Sequence, residues 1–305
     1  MQIGRRDSDI CIGEQKVMRY EKPTSAKQAA DLLAKEKGAA FLLAGGTDLL
    51  VKLKMGMVEP DLVVDIKHIA KANEIQTTAK GFSVGAAVPG ARLTEHTALK
   101  KAWPGVVEAA NLIGSDQIQG RCTLAGNLCN ASPAADSIPA LIANGARCRI
   151  LGSDGERMLA VEDFVVGPNQ NALAPGELLV ELILPRPAAG TSDAYLRLTP
   201  RTEMDIAVAG AGVSITVDES GICTAARVAI GAVAPTALLV EAAAEAMVGS
   251  QLDQAAIDAA VVSVRTAATP ISDKRGTAEY RTHVVGVLVA RAIAKAQHRI
   301  TEARS

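Results

Sequence analysis

Leu42-Leu43-Ala44-Gly45-Gly46-Thr47-Asp48-Leu49 runs from apolar residues through two glycines into a hydroxyl and a carboxylate. The residues at 40–43 read as a short buried strand and those at 48–54 as the start of a helix, so the glycines sit at a strand-to-helix turn. On the N-terminal side, Pro23-Thr24-Ser25 precedes helical spacing of apolar residues over 26–37, with Thr24 or Ser25 as N-cap and Gly38 as stop. On the C-terminal side, Asp61-Leu62-Val63-Val64-Asp65-Ile66 reads as a second strand. Together they make a β-α-β pattern within about 45 residues.

A second glycine-bearing stretch follows about eighty residues later: Thr123-Leu124-Ala125-Gly126-Asn127-Leu128-Cys129-Asn130-Ala131-Ser132-Pro133-Ala134-Ala135-Asp136. Both stretches combine small residues, which let a backbone approach a ligand closely, with polar groups that can point at it. At 45–48, amides at a helix N-terminus, the helix dipole and the Thr47 hydroxyl all suit a phosphate oxygen. Thr47 or Asp48 capping its own helix is the plainer alternative, and Asp136 is open to the same one. The pair of stretches points to a single extended, phosphate-bearing ligand held from both sides.

The other classes of function find little support. A formal charge of −1 gives no reason to expect nucleic acid or an anionic membrane as partner. Three Phe, three Tyr and one Trp are too few for a base-stacking platform. No apolar run nears the roughly 20 residues of a membrane span, and Met1 to Gln15 has no hydrophobic run, so a cytoplasmic protein is expected. Five cysteines with no Cys-x-x-Cys suggest small buried hydrophobes rather than a metal site or disulfide framework. There is no Walker A sequence, no Gly-x-Ser-x-Gly elbow, and no ligand spacing among His68, His96, His283 and His298, which read as solvated or capping residues. Gly210-Ala211-Gly212 lies inside an apparent strand and is no dinucleotide fingerprint.

Along the rest of the chain, strands are expected at 81–88, 148–151, 156–159 and 178–184, and helices at 92–101, 105–113 and 136–143. Leu184-Pro185-Arg186-Pro187-Ala188-Ala189-Gly190-Thr191-Ser192 reads as a linker. Strands at 192–199, 207–217 and 225–233 then precede helices at 236–248, 252–269 and 278–296, the order of a separate α+β domain.

In combination, the two glycine stretches closely resemble the flavin-binding medium subunit of molybdenum hydroxylases, the family of xanthine dehydrogenase, carbon monoxide dehydrogenase and related bacterial three-subunit enzymes. The resemblance extends to Gly114-Ser115-Asp116-Gln117-Ile118, Gly176-Glu177-Leu178-Leu179, Tyr195-Leu196-Arg197, Pro200-Arg201 and Asp205-Ile206-Ala207, covering roughly residues 17–300. It implies an α+β fold. A two-lobed vanillyl-alcohol-oxidase-like (PCMH-type) FAD-binding domain would occupy 17–190, with lobes at about 17–72 and 73–190. A C-terminal domain with a small antiparallel sheet and helices would occupy 191–305, and 1–16 would be an extension with no counterpart.

The ligand so implied is FAD. Leu42, Leu43, Ala44, Gly45, Gly46, Thr47, Asp48 and Leu49 would embrace its diphosphate and the start of the flavin. Thr123, Leu124, Ala125, Gly126 and Asn127 would close on the diphosphate from the other lobe. Asp136 matches the family aspartate on the adenosine side, and Ile113 and Leu179 stand where the family has apolar contacts. Tyr195 matches a tyrosine able to cover one face of the isoalloxazine ring. Arg197 takes a position usually held by Lys, which keeps the charge but changes reach and hydrogen-bonding geometry.

The resemblance further implies an oxidoreductase subunit that passes electrons. A small subunit would carry two [2Fe-2S] clusters and a large subunit a molybdopterin cofactor, in a dimer of heterotrimers. Substrate would be oxidised at molybdenum, and electrons would leave through the flavin to NAD, a quinone or dioxygen. The residues agree, because no acid/base or nucleophilic constellation for substrate chemistry is visible. Two alternatives stand beside it. One is a free-standing flavin oxidase or dehydrogenase of the same fold, for whose covalent flavin bond Cys129 is the nearby candidate. The other is a flavin-free scaffold subunit. The substrate and the final acceptor are not legible.

Overall fold

The computed structural model describes residues 17–304, so the expected extension at 1–16 lies outside the described residues. The first lobe contains β1 (Arg19–Glu21), α1 (Ala26–Lys35), β2 (Ala40–Leu43), α2 (Leu49–Lys54) and β3 (Leu62–Asp65). Ser25 starts α1: its hydroxyl accepts the Gln28 amide at 3.2 Å, while Ala29 and Ala30 turn inward. The strands form a parallel sheet in the order β1-β3-β2, with Leu43 opposite Asp65 and Arg19 opposite Leu62. Parallel neighbours need a crossover, and α2 lies within it between β2 and β3. β3 is central and buried throughout.

The second lobe begins with β4 (Ile75–Thr78) and β5 (Gly81–Gly85), followed by the helices α3 (Gly90–Glu95), α4 (Thr97–Ala102), α5 (Pro104–Asn111), α6 (Asp116–Gln119), α7 (Leu124–Asn130) and α8 (Ser137–Ala143). It closes with β6 (Arg147–Gly152), β7 (Gly155–Ala160), the small pair β8 (Val165–Gly167) and β9 (Gln170–Asn171), and β10 (Leu178–Pro185). β4, β5, β10, β6 and β7 form one antiparallel sheet in that order. The helix expected over 92–101 is two helices. The break falls at His96, whose ring Nδ1 accepts the Leu99 amide at 3.1 Å and caps α4. The second glycine stretch is itself largely helical, as α7.

The C-terminal part comprises β11 (Thr191–Leu198), β12 (Ala209–Val217), β13 (Cys223–Gly231), β14 (Leu238–Leu239), α9 (Glu241–Glu245), α10 (Gln254–Ala267) and α11 (Ala278–Arg304). β11 to β14 form an antiparallel sheet in sequence order, packed by α11 on β11 and β12 and by α8 on β12 and β13. The helix expected over 236–248 is a short α9 preceded by β14, because Leu238 and Leu239 pair with Ile230 and Ala229 at the open edge of β13. Gly212 serves packing. A Cβ there would stand 2.5 Å from the Pro139 carbonyl oxygen of α8. Two hydrophobic clusters result, one shared by both lobes and reaching Tyr195, the other between the C-terminal sheet and its helices. Among the described residues no helix is long and apolar enough to cross a membrane, and no group of three or more His, Cys, Asp or Glu could hold a metal ion.

Candidate functional site

A crevice of about 690 Å³ opens between the two lobes, and both glycine stretches line it. That volume falls within the ~300–1,000 Å³ of ordinary ligand pockets. From the first stretch Leu42, Ala44, Gly45, Gly46, Thr47, Asp48 and Leu49 face it, while Leu43 is buried beneath. From the second, Thr123, Ala125, Gly126 and Asn127 face it, and Leu124 is in the core. Ile113 and Leu179 supply apolar wall from two further places in the chain.

The first loop is shaped by its glycines. Gly45 lies so close to the segment just before the second stretch that a Cβ would come within 2.0 Å of the Arg121 carbonyl oxygen. Gly46 has φ +79°, a conformation strained for any β-branched residue whether or not a ligand is bound. Asp48 makes no capping bond to α2, which excludes the plainer reading for that residue. The amide nitrogens of Gly45, Gly46, Thr47 and Asp48 have no hydrogen-bond partner among the described residues. Four adjacent donors before a helix, on residues that line the crevice, have the chemistry an anionic ligand would need.

In the second stretch a cap falls at Thr123, where none was expected: its Oγ1 accepts the Gly126 amide at 2.8 Å and caps α7. Asn127 Oδ1 accepts from the Ser137 hydroxyl at 2.7 Å, which fixes the amide plane and leaves its Nδ2 available to a ligand. Cys122 and Cys129 also line the crevice, as unreactive thiols, since burial pushes them up to about 11 and about 12. The cysteines among the described residues are all free.

Asp136, Tyr195 and Arg197 lie apart from the crevice lining, in a cluster of their own. The Tyr195 hydroxyl donates to Asp136 Oδ1 at 2.9 Å, and Arg197 donates to Oδ2 at 2.5 Å. Asp136 opens α8 without capping it. Burial pushes its carboxyl up to about 6, against the opposing pull of Arg197 and Tyr195. The structure thus brings into contact two residues expected to serve FAD at different places, Asp136 on the adenosine side and Tyr195 over the isoalloxazine ring. The Tyr195 ring is 2% exposed and presents no open face to the crevice.

Sequence reasoning missed several crevice residues. Lys52, on α2, reaches across to Asn130 Oδ1 at 2.9 Å, and Asn130 Nδ2 donates to Asp48 Oδ1 at 3.3 Å. The i,i+4 spacing of Asp48 and Lys52 was the available signal. Leu173, Asn169 and Asn171 come from a loop and a two-residue strand with no motif to mark them.

The comparisons with known proteins agree with this architecture. Residues 16–187 match the family model described as FAD binding domain in molybdopterin dehydrogenase, and residues 194–296 match CO dehydrogenase flavoprotein C-terminal domain. The chain is 35% identical over 281 residues to the carbon monoxide dehydrogenase medium chain of Afipia carboxidovorans, covering 92% of this chain and 96% of that one. It is 28% identical over 279 residues to the xanthine dehydrogenase FAD-binding subunit of Escherichia coli O157:H7, covering 91% and 95%. Its structure resembles a chain of reconstituted CO dehydrogenase from Oligotropha carboxidovorans with TM-score 0.88 at 33% identity, covering 93% and 98%. The chain belongs to the family of FAD-binding flavoprotein subunits of molybdopterin dehydrogenases. Its cofactor class is FAD and its reaction class is oxidoreduction.

Proposed function

We propose that this chain is the electron-transferring flavoprotein subunit of a cytoplasmic molybdenum hydroxylase, joined to a small [2Fe-2S] subunit and a large molybdopterin subunit. Bound FAD supplies reversible uptake and release of electrons between those clusters and NAD, a quinone or dioxygen. The chain's own residues hold and shield it. The amides of 45–48 and of Ala125 receive the diphosphate, Asn127 Nδ2 adds a side-chain donor, and Ile113 and Leu179 exclude water from the rings. Asp136, Tyr195 and Arg197 act as one unit behind one end of the cofactor.

The observation that carries this reading is the row of four unpartnered amides at 45–48, opposed across one crevice by the second glycine stretch. The fit is chemical as well as spatial, because unpaired donors at a helix N-terminus favour an anion over a neutral ligand. The test is FAD content of the purified full chain, set against a Thr47→Glu variant that puts a carboxylate at the loop. Loss of at least about tenfold in FAD retention is expected, the order of one or more charge-assisted contacts. A Thr47→Glu chain that keeps its flavin refutes the loop assignment. Co-purification with iron and molybdenum in one assembly tests the partners, and a flavin that stays with acid-precipitated protein would favour a covalent oxidase instead.

A further inference from the structure

Four charged side chains line the crevice among the described residues: Glu36, Asp48, Glu177 and Lys52. Glu36 is paired with Arg19 and Glu177 with Arg157. Lys52, the sole cation of the four, makes no ion pair with any described residue. It stands four residues after Asp48, the spacing at which an acid and a lysine on one helix ordinarily attract. The side chain leaves that local option unused. Its Nζ reaches the other lobe, where it donates to Asn130 Oδ1 at 2.9 Å, and Asn130 Nδ2 turns to Asp48 Oδ1 at 3.3 Å.

A neutral amide therefore stands between the two charges and holds each in place. The carboxylate rests at the N-terminus of α2, where the helix dipole favours it. The ammonium has no such compensation. It is half-buried, fixed in direction and one helical turn from the four unpartnered amides of 45–48. A partly desolvated cation with no carboxylate beside it attracts an anion more strongly than a freely solvated one does. The same charge offsets the repulsion that Asp48 would exert on an anionic ligand.

We infer that Lys52, presented by Asn130, is an anchoring cation for the diphosphate of the crevice ligand, so that binding completes an ion pair the protein leaves half made. The inference rests on the reading that the crevice holds FAD. It adds to that reading a charged residue outside both of the glycine stretches.

The test compares the full chain with Lys52→Met and Lys52→Arg, titrating flavin-stripped protein with FAD, ADP and riboflavin at low and high salt. Lys52→Met should weaken FAD and ADP alike by about 10- to 100-fold, the range of a hydrogen bond to a charged group. It should leave riboflavin, which has no phosphate, unchanged. The salt dependence of FAD binding should become shallower in Lys52→Met, and Lys52→Arg should recover most of the affinity. Equal losses for FAD and riboflavin would overturn the inference, since the lysine would then act on the ring or on the loop's shape. Unchanged FAD affinity in Lys52→Met would overturn it as well. A wild-type chain that takes up no FAD would sink the cofactor reading itself and this inference with it, a result distinct from a selective loss in the variant.

Discussion

The crevice at 45–48 and the cluster around Asp136 lie in one fold and are built on opposite principles. At 45–48 four backbone donors on crevice-lining residues have no hydrogen-bond partner among the described residues. At Asp136 both carboxylate oxygens are taken, by Tyr195 and Arg197, with Arg197 and Asp136 only 5% and 9% exposed. Unpaired polar groups cost free energy wherever water is excluded, so they persist where a ligand supplies the missing partner. Saturated ones persist because they hold the structure. By this contrast the glycine loop suits the receptor role proposed for it, and the Asp136 cluster is a brace that ties the start of α8 in the second lobe to β11 of the C-terminal sheet.

The sharpest way to break the contrast is to remove the brace. Arg197→Met leaves Asp136 buried with one partner, and loss of one member of a buried ion pair costs about 3–5 kcal/mol. For a chain of this size that corresponds to a melting temperature lower by roughly 5–8 °C. Lys at the same position, with a shorter and single-pointed reach, should recover part of the loss. Thermal unfolding checks this, and a variant that melts with the wild type would show that the cluster carries no structural load.

A second buried carboxylate carries a pH signature. Asp193 on β11 is 1% exposed, and its Oδ1 accepts the Gly105 amide at the start of α5 at 2.9 Å. Glu108 stands nearby with Lys295 and Arg299, and Arg299 also donates to the Asp193 carbonyl at 2.6 Å. Burial pushes the Asp193 carboxyl from 3.8 up to about 7, with the Gly105 amide and Arg299 opposing and Glu108 assisting. A folded-state value above the unfolded one means the folded protein keeps the proton longer. Asp193 therefore stabilises most below about pH 4, and its contribution falls as pH rises to about 7, by up to about 4 kcal/mol. Asp136, raised in the same direction, adds to the slope. Denaturant unfolding at pH 5 and pH 8 should show Asp193→Asn with a markedly flatter dependence than wild type. An unchanged slope would mean that the α5 N-terminus keeps the group ionised throughout.

These two regions also differ in how far they could be read from sequence. The receptor side is local: apolar run, glycines, cap residues and helix start all fall within 40–54, so periodicity and turn chemistry place them. Thus the β-α-β unit and both glycine stretches were legible. The brace is non-local. Asp136 and Arg197 are 61 residues apart, and only tertiary folding brings them together. The resemblance named each residue, but a motif carries no distances, so the contact between Asp136 and Tyr195 was not legible in it. β1 is three residues long and exists by pairing with β3, and β14 exists by pairing with β13. Neither has a periodicity of its own to detect. The helix of the second stretch was hidden by its glycine and asparagines, which are poor helix formers. The Thr123 cap and tertiary packing override that preference.

Thr123 stands between the two principles and gives the finest test of them. Its oxygen accepts the Gly126 amide, as a brace would, yet the residue also lines the crevice, and its hydroxyl proton remains free to donate. Thr123→Val deletes the cap and should cost about 1 kcal/mol of stability. Thr123→Ser keeps both functions of the hydroxyl and should stay near wild type in stability and in FAD retention. If the hydroxyl only caps, Thr123→Val should lose FAD affinity by no more than the small disturbance of α7 implies. If it also donates to the diphosphate, affinity should fall by a further tenfold or so, the scale of one charge-assisted hydrogen bond. Unfolding and FAD titration on the same three proteins separate the outcomes, because the first reads the cap and the second reads the donated proton.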